Sequence, residues 1–233
     1  MQKRYIHTKD AHNLKDPKEI VTEILQYFSP KKVIDLWCWL WNFVKVFQNH
    51  GIYAVWVDGD WVNRSDMFIK EDSFIVKNLE EYMDRQKEFD LAISLEVAEH
   101  LSQESAENFV KTLISCADYI IFSATIPQQR WQNHINEQPP TYREKIFNKY
   151  DYEFHDVFRH IFWNNNKIFW RYKQNIFLVI KKWCKIPKDL VEKPPRYIIH
   201  PECYEGKMKF VKNPYKAIRH MIYLLYCRIK KWF

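Results

Sequence analysis

The sequence predicts an α/β fold, a mostly parallel seven-stranded sheet with helices on both faces and an antiparallel edge strand. Three observations carry this expectation. Short apolar runs alternate with amphipathic segments five times between Pro17 and Ala124, the pattern that builds a parallel sheet through right-handed crossovers. The runs are apolar throughout rather than at every second residue, which marks strands buried on both faces. The last two runs, Tyr152 to Val157 and Asn175 to Ile180, lack a long crossover helix between them and should pair antiparallel.

Taken in order, Pro17 to Phe28 carries apolar residues at Ile20, Val21, Ile24, Leu25 and Phe28, the spacing of an amphipathic helix opened by proline. Ser29-Pro30 ends it, and Lys32 to Leu36 is the first strand. Asn42 to Asn49 reads as a helix that Gly51 terminates, and Ile52 to Val57 reads as the second strand, running into Asp58-Gly59-Asp60. An apolar run holding an acid, Asp35, then a turn and a helix, is how a Rossmann-like sheet begins and where it binds a nucleotide. Residues 61–69 read as helical, Asp72 to Asn78 contains a third strand, and Phe89 to Leu95 is the fourth. Ser102 is placed to cap a helix running to about Cys116, and Tyr119 to Ala124 is the fifth strand. Thr125 to Pro140 is a long polar loop, of a length that in compact domains is usually functional or disordered. A helix from about Tyr142 to Lys149 follows it.

At 233 residues the chain suits one α/β domain with a short appendage. Residues 1–16 are expected to be a flexible N-terminus, 17–183 the main domain, and 184–233 a basic extension. That extension has a linker at Pro187 to Pro195 and an amphipathic helix at Tyr215 to Phe233. No apolar run reaches the roughly 18 residues that cross a bilayer, and the N-terminus lacks the apolar core of a secretory signal. Five scattered cysteines, with no C-x-x-C pair, predict neither a disulfide framework nor a metal site, and a cytosolic location is expected. Much of the net charge of +7 lies after residue 180, and no basic and aromatic surface runs along the core, so nucleic-acid binding is not expected.

Glycine is the anomaly. Ordinary usage of about 7% would place roughly 16 glycines in this length; the chain has 3, beside 10 tryptophans. Three of those tryptophans, Trp37, Trp39 and Trp41, occupy the turn after the first strand, where glycine normally lets a ligand approach the backbone.

Four motifs in order, DLxCxxxN, VDGD, KNL and FDLAISLEVAEHL, resemble those of class I S-adenosylmethionine-dependent methyltransferases. FSATIPQQ, NHINEQPPTYREKIF, DVFRH and WRYKQNIFLVI further resemble a bacterial branch often found among glycan-modification genes. The resemblance covers about residues 17–181. It implies that Trp37, Cys38, Trp39 and Trp41 form the loop beneath the methionine part of S-adenosyl-L-methionine, with Asp35 orienting that loop or the amino group. Asp58, beside Gly59, would hold the ribose hydroxyls, since a carboxylate offers two acceptor oxygens to a vicinal diol; otherwise it caps the next helix. Asn78 and Leu79 would meet the adenine, Asn78 being alternatively a turn residue. Glu96 would border the methyl-donor end.

The chain departs from the family pattern at 37, 39, 41, 56 and 131, where tryptophan stands for glycine. Deliberate substitution, a degenerate pseudo-enzyme, and UGA codons that mean glycine but were translated as tryptophan all account for this. His134, beside Asn136, Glu137 and Gln138, is the candidate general base or substrate ligand, because imidazole titrates near neutrality; alternatively it only holds its loop together. Glu99 and His100 are either substrate-facing or structural. Arg130, Arg143 and Arg159 either meet an anionic substrate or are solvated charges. In the tail, Ile218, Met221, Ile222 and Leu225 form an apolar face that packs on the chain's own domain, on a second subunit, or on an anionic membrane surface. The expected activity is methyl transfer to a small hydroxylated acceptor, such as a sugar or glycan precursor, and the alternative is a non-catalytic binding module on the same fold.

Overall fold

The computed structural model describes residues 14–36, 42–60, 71–129, 133–191, 199–211, 213–215, 218–219 and 221–222. The loop at 37–41, the segment expected to be helical at 61–69, Arg130, Trp131, most of the N-terminus and most of the tail helix lie outside them. The chain divides into two compact units, 1–197 and 198–233.

The first unit holds seven strands: β1 (Lys32–Leu36), β2 (Tyr53–Asp58), β3 (Phe74–Val76), β4 (Leu91–Leu95), β5 (Tyr119–Ser123), β6 (Tyr152–His155) and β7 (Phe177–Lys181). They form one sheet in the order β3-β2-β1-β4-β5-β7-β6. β1 pairs in parallel with β2 and β4, and β2 with β3 and β4 with β5 likewise. β7 runs antiparallel between β5 and β6. The antiparallel strand is therefore one place in from the edge, and β6 is the edge strand itself.

Side chains alternate between the two faces, so each strand feeds two cores. Ile34, Leu36, Val55, Val57 and Ile120 face helices α3 (Ala106–Cys116) and α4 (Pro140–Asn148), which contribute Phe109, Val110, Leu113, Ile146 and Phe147. Val33, Ala54, Leu91 and Ile121 face α1 (Lys15–Tyr27), α2 (Asn42–Asn49) and the short α5 (Arg159–Phe162). Gly51 takes a φ of +75° and ends α2, with Ile52 N–H donating to Phe47 O at 3.1 Å and Gly51 N–H to Gln48 O at 2.9 Å. That bonding pattern is a Schellman motif, and only glycine adopts it without strain.

Two local expectations change. α3 begins at Ala106 with Ser105, not Ser102, at its N-cap position. Ser102 is spent on the preceding turn, where its Oγ accepts from Ser105 N–H and its carbonyl accepts from the Ser105 hydroxyl. The break between β6 and β7 contains α5 and α6 (Trp170–Asn175), of four and six residues. Helices this short show no apolar period.

In the second unit, α7 (Pro201–Val211) is a helix between the expected linker and the expected tail helix. Among the described residues no helix is long and apolar enough to cross a membrane.

Trp56 is 1% exposed in the middle of β2, tilted against Phe74 at 4.7 Å between ring centroids. Its indole N–H is buried with no hydrogen-bond partner, an unusual state because buried tryptophans normally find an acceptor. Trp56→Phe is therefore expected to lower the unfolding free energy only by what the smaller ring loses in packing, about 1–2 kcal/mol, with no hydrogen-bond loss added. A loss beyond about 4 kcal/mol in a denaturant titration would contradict this.

Candidate functional site

In a doubly wound sheet, ligands bind beyond the carboxyl ends of the strands where the strand order reverses. Here that point lies between β1 and β4. Asp35 lies on β1 and Asp58 ends β2, and Gly59, Asn78, Leu79, Glu96, Glu99, His100 and His134 lie on segments that leave the strands at this edge. β7 contributes as well, because an antiparallel strand begins where its parallel neighbours end.

On the β1–β2 side, Asp35 and Asp58 are both buried, at 1% and 0% exposure. Asp35 pairs in register with Trp56, two residues before Asp58. Asp58 Oδ1 accepts from Gly59 N–H at 2.6 Å, whereas its Oδ2 has no partner. Burial first, and the Asp35 carboxylate after it, push Asp58 up to about 7, against the opposing Gly59 bond. A buried acid with one oxygen unused fits a ligand that brings hydroxyl donors, since such donors restore what burial removed.

This shift has a pH consequence. The folded state holds a proton on Asp58 that the unfolded chain releases near pH 4, so Asp58 stabilises the fold at low pH. That stabilisation is lost as pH rises through about 7, by about 4 kcal/mol in all. The ligand-free protein is thus expected to be more stable at pH 5 than at pH 8, with the slope reduced in Asp58→Asn. An unchanged slope in denaturation curves would remove Asp58 as its source.

At the end of β3, Asn78 is exposed, and its Oδ1 accepts from Glu80 N–H at 3.1 Å, so its side chain shapes the turn. Leu79 is buried in the core. The loop holding Trp37, Cys38, Trp39 and Trp41 lies outside the described residues.

On the β4–β5 side, Glu96 follows β4 with a φ of +58°, a left-handed conformation that costs a non-glycine residue roughly 1–2 kcal/mol. Four bonds hold it there. Its N–H donates to Ser123 O and Oγ, its Oε1 accepts from Asn175 Nδ2 at 3.0 Å, and its Oε2 lies 3.0 Å from Thr125 Oγ1. Thr125 Oγ1 is also 2.6 Å from Glu99 Oε1. One hydroxyl proton cannot serve two carboxylates at once. Burial, and then the Glu96 charge, raise the Glu99 carboxyl well above its ordinary range, against the opposing Thr125 bond. Thr125, Gln129 and Asn175, which complete this network, were missed by the sequence reading; their only signal is polarity next to an apolar strand.

His134 arrives from the long loop. Glu99 O accepts from Ile135 and Asn136 N–H at 2.9 and 3.0 Å. Arg143, on α4, donates to Ala98 O at 3.0 Å and Asn136 O at 2.9 Å. These four bonds fasten the loop to the segment after β4. His134 and His100 then meet edge to face, 4.8 Å between centroids, with His134 Nε2 4.0 Å from Glu99 Oε1. Burial and the neighbouring His134 hold His100 down at about 3, so it is neutral.

Two expectations are corrected. Arg143 and Arg159 are each 2% exposed, so neither is a solvated charge. Arg143 is the loop clamp, and Arg159 pairs with Asp156 at 3.3 Å.

No protein-family model matches the sequence, and no curated protein does either. Solved structures do match. A SAM-dependent methyltransferase from Archaeoglobus fulgidus superposes with a TM-score of 0.54 at 17% identity, over 74% of this chain and 96% of that one. The methyltransferase domain of bacterial CtHen1-CN gives 0.51 at 19% identity, over 72% of this chain and 100% of that one. The small RNA methyltransferase HEN1 gives 0.53 at 12% identity over 82% of this chain, which spans 28% of that much longer protein. The fold is that of SAM-dependent methyltransferases. In a sheet of this methyltransferase fold, Asp58 and the Glu96 to His134 network stand on the same edge, on either side of β1.

Proposed function

We propose that the chain binds S-adenosyl-L-methionine across the carboxyl ends of β1 to β4 and transfers its methyl group to a small hydroxylated acceptor, a sugar or glycan precursor. One observation carries the reading: the buried Asp58 carboxylate at the end of β2, whose Oδ2 has no hydrogen-bond partner among the described residues. Ribose hydroxyls supply the donors it lacks. Asp35 and the 37–41 loop take the methionine part, Gly59 lies beside the ribose, and the turn at Asn78 and Leu79 borders the adenine. Glu96 sets the wall next to the methyl group.

The sulfonium is already activated, so positioning supplies most of what the reaction needs. The acceptor oxygen attacks the methyl carbon, the carbon–sulfur bond breaks with its electron pair going to sulfur, and the hydroxyl proton passes to the cluster of Glu99, His100 and His134. His134 Nε2 is the expected proton acceptor. The sugar acceptor rests on the resemblance of the NHINEQPPTYREKIF segment. A screen with labelled methyl donor against glycan precursors tests it, with small RNA as the comparison arm; label on RNA alone would replace the acceptor.

The tryptophans at 37, 39, 41, 56 and 131 stand in this proposal at glycine positions, encoded by UGA and read as tryptophan. The partnerless indole of Trp56 supports this, as does the chain-wide shortage of glycine. UGG at codons 37, 39 and 41 would sink it, and a confirmed all-tryptophan chain that binds no methyl donor in calorimetry would favour a non-catalytic binding module. For the tail, Ile218, Met221 and Ile222 are exposed, which favours a peripheral membrane contact. Liposome flotation of the full chain should exceed that of a chain ending at Pro214, and equal flotation would remove the idea.

A further inference from the structure

Glu99, His100 and His134 each offer a ligand atom, and the three atoms lie within 4.8 Å of one another. The scattered cysteines predict no metal site, and 34 residues separate His100 from His134 in the sequence. The tautomers can be deduced. His100 Nδ1 lies 3.2 Å from Asn133 O, a carbonyl that only accepts, so Nδ1 carries the proton. His134 Nδ1 lies 2.9 Å from Glu137 Oε1 and carries its proton for the same reason. Both Nε2 atoms therefore present a lone pair.

An imidazole whose far nitrogen donates to a carbonyl or carboxylate, leaving Nε2 forward, is the arrangement that orients metal-bound histidines. His134 is 3% exposed at its side chain and Glu99 is fully buried, and neither His134 Nε2 nor Glu99 Oε2 has a hydrogen-bond partner. Two imidazole nitrogens and a carboxylate oxygen this close together, in buried surroundings beside the Glu96 carboxylate, make a donor set that suits a cation.

We infer that Glu99, His100 and His134 bind a divalent transition-series cation, with Glu137 and Asn133 orienting the two imidazoles. Two nitrogens and one carboxylate suit manganese, iron, cobalt or zinc rather than calcium, which takes oxygen ligands. Three protein ligands leave open positions that oxygen donors of an acceptor can fill. A proton and the ion compete for the same His134 Nε2. The site follows from ligand geometry and stands apart from the methyl-donor reading.

The test uses the full chain, stripped with a chelator and titrated with Co²⁺ without methyl donor. One equivalent is expected to give visible ligand-field absorption, with Mn²⁺ and Zn²⁺ competing for it. His100→Asn, His134→Asn and Glu99→Gln should each weaken Co²⁺ binding more than about 100-fold, and Glu137→Gln about 10-fold, as for lost orienting partners. Absence of the absorption at one equivalent, or equal binding by His100→Asn and His134→Asn, overturns the inference. Thermal unfolding checks that each variant is folded; should Glu99→Gln unfold, the two histidine variants decide. Metal binding without donor binding would leave this site standing and remove the proposed function, and the reverse result would do the opposite.

Discussion

Glycine restored together at positions 37, 39 and 41 is expected to tighten S-adenosylmethionine binding at least about 100-fold over the chain as written, or about 2.7 kcal/mol. The turn after β1 (Lys32–Leu36) is where a nucleotide-binding sheet brings its backbone against the ligand, and glycine serves there because it has no Cβ and adopts positive φ freely. Three indoles at alternate positions deny both. Backbone N–H bonds to a carboxylate are worth about 1.5–3 kcal/mol each, so two regained bonds alone reach the stated change. Calorimetric titration of the two chains with methyl donor checks it. Equal affinities would mean that the loop is not beneath the donor, or that tryptophan is tolerated there.

The second large effect concerns stability. Arg143→Leu is expected to lower the unfolding free energy by about 3–5 kcal/mol, because it leaves a buried carboxyl without its neighbouring cation and two buried carbonyls without donors. Burial lowers the Arg143 guanidinium to about 10, still charged at neutral pH. Its two bonds hold Ala98 and Asn136 together, so the loss should also release the loop. Hydrogen exchange at the Ile135 and Asn136 amides, which donate to Glu99 O, should accelerate beyond the global change. A loss under about 1 kcal/mol would show that the loop is held mainly by its own backbone.

The sheet was legible because its strands are buried on both faces. The expected bounds of β1 and of the following helix, Lys32 to Leu36 and Asn42 to Asn49, agree with the structure residue for residue. The other strand bounds moved by at most two residues, where an apolar run continues into a turn. The helix after β4 started late because serine serves both caps and turns, and Ser102 took the turn. Asp58 and Glu96 could be singled out because an acid directly after an apolar strand stands at the sheet's carboxyl edge.

The cluster around His134 could not be assembled that way. Its parts are brought together by Arg143, an arginine on a polar-looking helix that sequence alone reads as solvated, and by backbone bonds from Ile135 and Asn136 that carry no sequence signature. Asn175 reaches Glu96 only because β7 (Phe177–Lys181) runs against its neighbours. Periodicity finds the strand but not its direction.

The central claim is that the carboxylate ending the second strand holds a methyl donor, and titration of the glycine-restored chain beside its Asp58→Ala variant tests it most directly. The account predicts saturable one-to-one binding of S-adenosylmethionine by the restored chain, and about 100-fold weaker binding once the two carboxylate bonds to the ribose are removed. Equal affinity in the two chains, or no binding by either while both remain folded, would contradict it.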